Sequence, residues 1–330
     1  MIYEDDRENE NQPKMKKKIR IIIPILLGMF FIYLTFGLTS ENERDLIWNY
    51  IKSAKIEYVI AAMSIGASAD IVRGLRWQFL SNAIGYKSNT IISVASVFMC
   101  YTSNMAIPRS GEFVRATILS EYNKIPIGKT FGTIAAERII DITISLFILT
   151  LIWLLQYEVI LESFFDDSFL YNIDQNIGLI LFVSVLMFCV LIYSISRIER
   201  IKIFFKGIIE GFLSIINLKN KLLPFLLYSS LIWVCYISAF FVIKFSVSEL
   251  EIINNSLIFP AFIVGVFSIS LSNHGLGVYP LAISLFLLNF GINTEIGLTY
   301  GWIAWSCQAI ITLIFGGLSF FVLPLLYTTD

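Results

Sequence analysis

The sequence predicts an all-α integral membrane protein, a polytopic bundle of helices, and its composition is the first reason. Hydrophobic residues make up 57% of the 330 residues, charged residues only 15%, and the mean hydropathy is +0.76. A soluble domain carries about 25% charged residues to cover its surface, so most of this surface is expected to face lipid. The second reason is that apolar runs of about 20 residues, each sufficient to cross a hydrocarbon core, recur along the chain.

The apolar segments are predicted to be helices, because a backbone exposed to lipid has to satisfy its own hydrogen bonds. Their approximate ranges are 19–39, 56–82, 88–107, 127–156, 177–196, 222–246, 256–272, 278–292 and 299–326. We predict one transmembrane domain, 19–330, preceded by a charged cytoplasmic tail, 1–18. In the stretch 197–221, apolar and basic residues alternate at helical spacing, which predicts an amphipathic helix on the membrane surface. The net charge of −1 does not indicate nucleic acid as a partner.

The charges of the loops predict the orientation, because cytoplasmic loops are enriched in Lys and Arg. The N-terminal flank, 14–20, and the stretch 197–221 are both rich in Lys and Arg, which places them in the cytoplasm. The loops 157–176 and 247–255 contain acidic residues and neither Lys nor Arg, which places them outside. We therefore predict a multi-pass protein of the cell (inner) membrane with a cytoplasmic N-terminus.

The same rule predicts that the segment 88–107 does not cross the membrane. If it did, the basic region 108–129 would be external and the acidic loop 157–176 would be cytoplasmic, and both placements contradict the charge pattern. Both loops have the expected location if the chain enters the membrane, turns at 106–111 and returns through 111–125. The sequence therefore predicts a re-entrant helical hairpin at this place.

A second re-entrant hairpin is predicted at 256–292, because two short apolar segments flank the glycine-rich break Ser272–Gly277. The two halves of the chain, 19–156 and 177–326, then share one order of elements and run in opposite directions. This pattern is typical of an inverted repeat, in which substrate binds near the midplane where the broken helices meet. The alternative is a chance similarity of hydropathy, since no residue identity between the halves supports the repeat.

Charged residues inside apolar segments are the candidates for function, because each costs about 2.5–3.5 kcal/mol at the bilayer centre. Three pairs of opposite charge are spaced i,i+3 and therefore share a helix face, namely Asp70–Arg73, Glu112–Arg115 and Arg138–Asp141. In the alternative interpretation, Glu137 and Arg138 lie at the membrane interface, and Arg73 and Arg76 extend towards the cytoplasmic surface. The candidate residues are Asp70, Arg73, Arg76, Arg109, Glu112, Arg115, Glu137, Arg138, Asp141 and His274.

The turn of the first hairpin has the features of an anion site. Pro108 ends the first helix, Ser110 is a suitable N-cap for the next, and Gly111 permits a close approach of the backbone. The N–H groups and the positive dipole end of that helix would then point towards the turn, where Arg109 also lies. Arg binds phosphate in a bidentate manner, so phosphate is the expected ligand. His274, in the second turn, could hydrogen-bond a headgroup or cap a helix.

The sequence does not indicate an enzyme. It contains no GxSxG, HExxH or phosphate-binding glycine loop, and it has a single histidine. The four cysteines are scattered through apolar stretches without a CxxC pair, so they are interpreted as small buried side chains. We therefore expect no metal and no cofactor. Group transfer by Arg, Asp and Glu side chains alone remains an alternative.

Four motifs resemble the lysylphosphatidylglycerol synthase transmembrane-region family, the flippase-like domain of MprF proteins. They are Arg73–Trp77, Pro108–Arg115, Glu137–Asp141 and Gly275–Val278. The resemblance covers nearly the whole chain after residue 18. The second turn departs from a Pro-Gly-Gly pattern, because it reads Asn273-His274-Gly275. The resemblance implies a stand-alone flippase-like protein without the aminoacyl-transferase domain of the full-length synthases, and it does not carry over a substrate.

The leading hypothesis is a transporter that moves an anionic phospholipid or a lipid-linked headgroup between leaflets. Phosphate would bind to three arginines, Arg109, Arg115 and Arg138, and three carboxylates would hold these arginines in place, Glu112, Glu137 and Asp141. Further candidate contacts to the headgroup are Arg73, Arg76 and His274. One alternative is a non-transporting membrane partner of an enzyme that modifies lipids or the cell envelope. Another is a membrane-embedded transferase that uses a polyprenyl-phosphate donor.

Overall fold

The computed structural model describes most of the chain between residues 29 and 327. The described residues are 29–155 except 31, 34, 36 and 38, then 209–210, 213–269 and 273–327. Several predicted features lie outside the described residues. They are the tail 1–18, most of the segment 19–39, the acidic loop 157–176, the segment 177–196, most of the amphipathic stretch 197–221, and Ser272 at the second turn.

Nine α-helices have their bounds among the described residues, which contain no strand. The helices are α1 (Glu41–Lys52), α2 (Ile56–Ala83), α3 (Thr90–Ala106), α4 (Gly111–Asn123), α5 (Ile127–Leu155), α6 (Leu222–Ile243), α7 (Asn255–Ile269), α8 (Val278–Leu288) and α9 (Thr294–Leu326). Within the described part of the chain, three helical stretches are long and apolar enough to cross a membrane, namely Ile56–Ala83, Leu222–Ser246 and Thr294–Leu326. The prediction of a polytopic helical membrane protein is therefore confirmed.

The described helices follow the predicted order of elements in both halves. A long helix, two short helices around a turn and a second long helix occur as α2–α5 and again as α6–α9. The inverted relation between the halves stays a prediction. One difference concerns the predicted amphipathic helix, because its described end, Leu213–Lys221, is a 3-10 helix. The last long helix also begins at Thr294, five residues before the predicted 299.

Helix α1 was not predicted, although its first residues contain a capping box. The hydroxyl of Ser40 accepts a hydrogen bond from the Glu43 backbone N–H, and the Glu43 carboxylate accepts one from the Ser40 backbone N–H at 2.6 Å. This reciprocal pair satisfies two backbone donors at the start of the helix. Hydrogen bonds from the Ser40 backbone N–H and the Ser40 hydroxyl hold the pKa of the Glu43 carboxyl below its usual value.

The described residues form two compact units, and each unit takes residues from both halves of the sequence. The first unit contains the described residues up to Ile71, the range Ala95–Arg115, and the residues from Ile232 onward. The second unit contains Val72–Val94 and the described residues between Ala116 and Leu231. The predicted single domain, 19–330, with its two pseudo-repeats, stays a prediction.

In the first unit, glycines permit close contacts between the helices that follow residue 255. A β-carbon at Gly265 would lie 2.7 Å from the ring of Tyr279, so α8 packs directly on the α7 backbone. A β-carbon at Gly301 would lie 2.5 Å from the Cα of Pro280, so α9 approaches α8 equally closely. Small residues at helix contacts are typical of membrane proteins, where close backbone approach replaces the hydrophobic effect as the source of association.

Helices α3 and α9 also pack closely in the first unit. The Thr102 hydroxyl donates a hydrogen bond of 2.7 Å to the Thr312 carbonyl oxygen. One turn further along α9, a β-carbon at Gly316 would collide with the Thr102 hydroxyl and would lie 2.7 Å from the Phe98 carbonyl oxygen. The contact therefore depends on a residue without a side chain at position 316.

In the second unit, the C-terminal part of α2 contacts α3 and α5. A β-carbon at Gly74 would lie 2.6 Å from the Val94 Cα, so the α2 and α3 backbones touch at this point. The indole Nε1 of Trp77 donates to the Thr133 hydroxyl of α5 at 3.0 Å. A small apolar cluster extends this packing. Its fully packed members are Leu80, Ala136, Leu218 and Phe225.

Candidate functional site

A buried network of ion pairs connects α2 and α5 in the second unit. Arg73 donates to the Asp141 carboxylate through Nη1, while Arg76 contacts both carboxylates of α5. The Arg76 Nη1 atom lies 2.7 Å from Asp141 Oδ1, and Arg76 Nε lies 3.2 Å from Glu137 Oε1. Asp141 therefore binds one arginine with each of its oxygens.

Helical spacing explains why these four side chains can meet. Arg73 and Arg76 are separated by three residues and Glu137 and Asp141 by four, so each pair lies on one face of its helix. Helix α6 adds two contacts to the guanidinium of Arg76. Its Nη1 lies 3.1 Å from the Ser229 hydroxyl, and its Cζ lies 5.5 Å from the centre of the Phe225 ring. Arg76 thus joins three helices.

Four of these charged side chains are buried within the protein. The exposed fractions of the Arg73, Arg76, Glu137 and Asp141 side chains are 6%, 0%, 1% and 10%. Arg73 and Arg76 therefore do not extend to the surface of the protein, and the depth of Glu137 and Arg138 in the membrane stays a prediction. Glu137 and Asp141 bind Arg76, and Asp141 also binds Arg73, in addition to the predicted contact between Asp141 and Arg138.

Arg138 is the most exposed guanidinium of this group. Its side chain is 33% exposed, and its Nη1 lies 3.8 Å from Asp141 Oδ2, which agrees with the predicted i,i+3 pair. The five residues of this group, hereafter the arginine cluster, are Arg73, Arg76, Glu137, Arg138 and Asp141. Three guanidiniums and two carboxylates give it a formal excess of one positive charge.

The first predicted turn lies in the first unit and joins α3 to α4. Arg109 is exposed and has a φ of 60°, an unusual value for a residue with a side chain. The Ser110 hydroxyl donates to the carbonyl oxygens of Ser103 and Ile107 at 2.9 and 2.7 Å, and the Gly111 N–H donates to Asn104 Oδ1 at 2.7 Å. The Ser110 hydroxyl thus ties the turn to α3, whereas the predicted N-cap would accept a hydrogen bond from α4.

The remaining candidates of this turn differ in exposure. Arg115 is buried, with 1% of its surface exposed, while Glu112 is half-buried. A β-carbon at Gly111 would lie 2.7 Å from the Asn104 side chain, so α4 starts in direct contact with α3. The first turn therefore presents Arg109 at the surface and keeps Arg115 inside the first unit.

The second predicted turn is also present in the first unit. Helix α7 ends at Ile269 and α8 begins at Val278, and Gly277 precedes α8 with a φ of 72°, a conformation that favours glycine. His274 is half-buried, and its carbonyl oxygen accepts a hydrogen bond of 3.0 Å from Trp305 Nε1. Its imidazole lies 6.2 Å from the Tyr101 ring of α3, measured between ring centres.

Asp70 forms a second buried polar group, in the first unit, and its partners were not predicted. Its exposed fraction is 0%. Asp70 Oδ1 accepts a hydrogen bond of 2.5 Å from the Tyr236 hydroxyl, and Oδ2 accepts one of 3.1 Å from Gln308 Nε2. The sequence signal that could have found Tyr236 and Gln308 is that each is a polar residue within an apolar helix, α6 and α9 respectively.

The described residues contain no group of three or more His, Cys, Asp or Glu side chains that could hold a metal ion. Cys100 and Cys307 are buried and Cys235 is half-buried. Cys189 lies outside the described residues.

Three curated proteins from archaea are similar to parts of this chain. A UPF0104 membrane protein of Methanocaldococcus jannaschii is 30% identical over 126 residues, which is 37% of each chain. A UPF0104 membrane protein of Archaeoglobus fulgidus is 27% identical over 180 residues, 54% of this chain and 50% of the relative. Glycosyltransferase AglD of Haloferax volcanii is 24% identical over 132 residues, 40% of this chain and 21% of the relative.

These matches span half or less of the length of each curated relative. No solved structure shows a significant match to the chain. The family described as the lysylphosphatidylglycerol synthase TM region matches residues 21–316, a range that contains the arginine cluster and both turns. This chain therefore belongs to the family of the lysylphosphatidylglycerol synthase transmembrane region.

Proposed function

We propose that this protein transfers an anionic phospholipid, or a lipid with an anionic headgroup, between the leaflets of the cell membrane without converting it chemically. The observation that supports the proposal most directly is the arginine cluster. Ionised residues inside a membrane domain are expensive, and they commonly mark the path of a charged substrate. An excess of guanidinium over carboxylate favours a ligand that carries a negative charge.

The cluster also retains a hydrogen-bond donor. Within the part of the chain that the structure describes, the Nη2 atom of Arg76 is buried and has no hydrogen-bond partner. Leaving a buried donor unsatisfied costs about 1–3 kcal/mol, so an oxygen atom supplied by a ligand or a water would be stabilising. A phosphodiester offers two such oxygens, and the planar guanidinium matches their geometry.

In this proposal the members of the cluster have different roles. Glu137 and Asp141 fix Arg73 and Arg76 in position, and the partly exposed Arg138 makes the first contact with the headgroup. Arg109 and Arg115 are proposed as further headgroup contacts at the first turn, with Glu112 beside them on α4, and His274 as one at the second turn. The two turns would be the tips of re-entrant hairpins, and the lipid would load from the cytoplasmic leaflet.

The proposal is tested by lipid transfer in liposomes that contain the purified protein. Fluorescent phosphatidylglycerol, a polyprenyl phosphate and the zwitterionic phosphatidylcholine are compared, and dithionite reports the fraction of fluorophore in the outer leaflet. We expect faster transfer of at least one anionic lipid than of phosphatidylcholine. Arg138→Ala should slow this transfer about tenfold or more, because a hydrogen bond to a charged group contributes about 1.5–3 kcal/mol.

Lys87→Ala is the matched control for the loss of a cation. Lys87 is exposed in the turn between α2 and α3 and lies outside the arginine cluster, so its removal should leave the transfer rate unchanged. If the wild-type protein accelerates no anionic lipid, or if Arg138→Ala transfers lipid as fast as the wild type, the proposed function is wrong.

A second candidate function follows from the similarity to Glycosyltransferase AglD. The chain would then act with, or as, an enzyme that transfers a group to or from a lipid, and a lipid-modifying enzyme would be its partner. The arginine cluster would bind the phosphate of a polyprenyl-phosphate donor in that case. Release of labelled sugar from such a donor by the purified protein, or co-purification of a lipid-modifying enzyme, would favour this function over transfer between leaflets.

A further inference from the structure

The protein holds its buried carboxylates in two chemically different ways. In the arginine cluster, Glu137 and Asp141 receive hydrogen bonds from guanidinium groups, which can only donate. Asp70 instead receives hydrogen bonds from the Tyr236 hydroxyl and the Gln308 amide. A hydroxyl and a carboxamide can each donate or accept, so these two partners suit a carboxyl group in either protonation state.

The ionised form of Asp70 uses both partners as donors, which is the arrangement in the structure. If Asp70 gains a proton, its new O–H can donate to the Tyr236 hydroxyl oxygen or to the Gln308 amide oxygen after that amide rotates. Gly66 lies beside the Gln308 amide, since a β-carbon at Gly66 would be 3.0 Å from the Gln308 Oε1 atom. Gly66 and Asp70 are one turn apart on α2, so they share a helix face.

The helix that contacts Asp70 also contacts the second turn and the helix that leads to the first turn. On α9, Trp305 lies three residues before Gln308 and donates to the carbonyl oxygen of His274 in the second turn. Thr312 lies four residues after Gln308 and accepts from Thr102 of α3, the helix that leads to the first turn. Residues at these intervals lie on one face of a helix. Gln308 therefore lies on the same face of α9 as the contacts to the second turn and to α3.

We propose that Asp70 takes up a proton from the aqueous phase and releases it during each transfer cycle, so that proton movement accompanies lipid transfer. The step forms and breaks a single O–H bond on the Asp70 carboxylate. The groups that hydrogen-bond to Asp70 include the Tyr236 hydroxyl from α6 and the Gln308 amide from α9, and Arg73 follows one turn later on α2. Only the role of the proton in the cycle rests on the proposed lipid transfer, and the protonation of Asp70 does not depend on it.

Infrared difference spectroscopy of the purified protein in liposomes tests the protonation directly. The spectrum at low pH minus that at high pH should contain the carbonyl band of a buried, hydrogen-bonded carboxyl group. Asp70→Asn should remove this band, whereas Asp45→Asn, which changes an exposed carboxylate on α1, should leave it in place. If the wild type and Asp70→Asn give the same carboxyl bands, the proposal is overturned.

Tyr236→Phe keeps the test decisive if Asp70→Asn does not fold. This variant leaves the carboxyl group in place and removes the hydroxyl that donates to Oδ1, so the same band should shift in frequency. An unshifted band in Tyr236→Phe would show that it does not belong to Asp70 and would overturn the proposal.

Transfer assays then test the role of the proton in the cycle. A rate limited by one proton changes by up to about tenfold per pH unit. We expect such a dependence in the wild-type protein and a slow, pH-independent rate in Asp70→Asn. A wild-type rate that does not change with pH would contradict the role of the proton in the cycle. A protein that shows the infrared band and transfers no lipid would contradict the proposed function, while the site of protonation would stand.

Discussion

At the scale of single residues, Asp141 contacts three guanidinium groups of the second unit. Its two oxygens bind Arg73 and Arg76, and Arg138 lies 3.8 Å from Oδ2. Two of these guanidiniums are almost completely buried. Removing one member of a buried ion pair leaves an uncompensated charge, which is more destabilising than the pair itself is stabilising.

We therefore expect Asp141→Asn to lower the free energy of unfolding by about 3–5 kcal/mol. The variant retains the shape of the side chain and loses only the charge that two buried guanidiniums share. Denaturant unfolding in detergent micelles, followed by tryptophan fluorescence, measures the change. Asp45→Asn, at an exposed position of α1, should change the unfolding free energy by no more than about 0.5 kcal/mol. Equal stability of the two variants would show that the cluster does not stabilise the fold.

The sequence predicted which charged residues are candidates but not how most of them pair. Helical periodicity was sufficient for Arg138 and Asp141, because both lie on one helix three residues apart. The pairs Arg73–Asp141 and Arg76–Glu137 join residues that are 68 and 61 positions apart. Such pairs depend on which faces of α2 and α5 meet, and periodicity within one helix contains no information about that.

At the scale of elements, the contact between α3 and α9 shows how a glycine can decide helix packing. Gly316 faces Thr102 and Phe98 at the point where the two helices touch, whereas a β-carbon at Gly317 would have no atom within 4 Å. The two glycines are adjacent in one helix, so their helix propensities are the same. They differ only in the face of the helix on which they lie.

The substitution Gly316→Ala should destabilise the protein by about 1–3 kcal/mol, because the added methyl group would overfill a packed contact. Gly317→Ala should have a neutral or stabilising effect of up to about 1 kcal/mol, because alanine is the better helix former. Unfolding of the two variants side by side in the same micelles measures the difference. A loss of stability in Gly317→Ala and none in Gly316→Ala would contradict the α3–α9 packing.

Hydropathy located the apolar helices among the described residues well, and it missed the short polar helix α1. Hydropathy gave α2, α3 and α5 to within a few residues, because an apolar run long enough for a span is a strong signal. Helix α1 was not predicted because it is short and rich in charge, although the spacing of Ser40 and Glu43 is that of a capping box. The adjacent Gly316 and Gly317 could not be distinguished, since a pair of glycines does not reveal which one faces a neighbour.

At the scale of the whole molecule, one contact bears on the predicted re-entrant hairpin of α3 and α4. The start of α3 lies next to the end of α4, because the Asn89 backbone N–H donates to the Asn123 side-chain oxygen at 2.9 Å. If α3 crossed the membrane alone, residues before α3 and residues near the end of α4 would lie on opposite sides. The contact between Asn89 and Asn123 favours the hairpin, in which both ends lie on one side.

Accessibility of introduced cysteines to a membrane-impermeant maleimide tests this orientation. Lys87→Cys and Glu121→Cys, at exposed positions before α3 and near the end of α4, should react only after the cells are permeabilised. Glu251→Cys, in the exposed part of the loop after α6, should react in intact cells, because that loop contains no Lys or Arg and is predicted to be external. The protein without an introduced cysteine gives the background from its native thiols. Reaction of Glu121→Cys in intact cells, with Lys87→Cys protected, would show that α3 is a full span and that the first hairpin is not re-entrant.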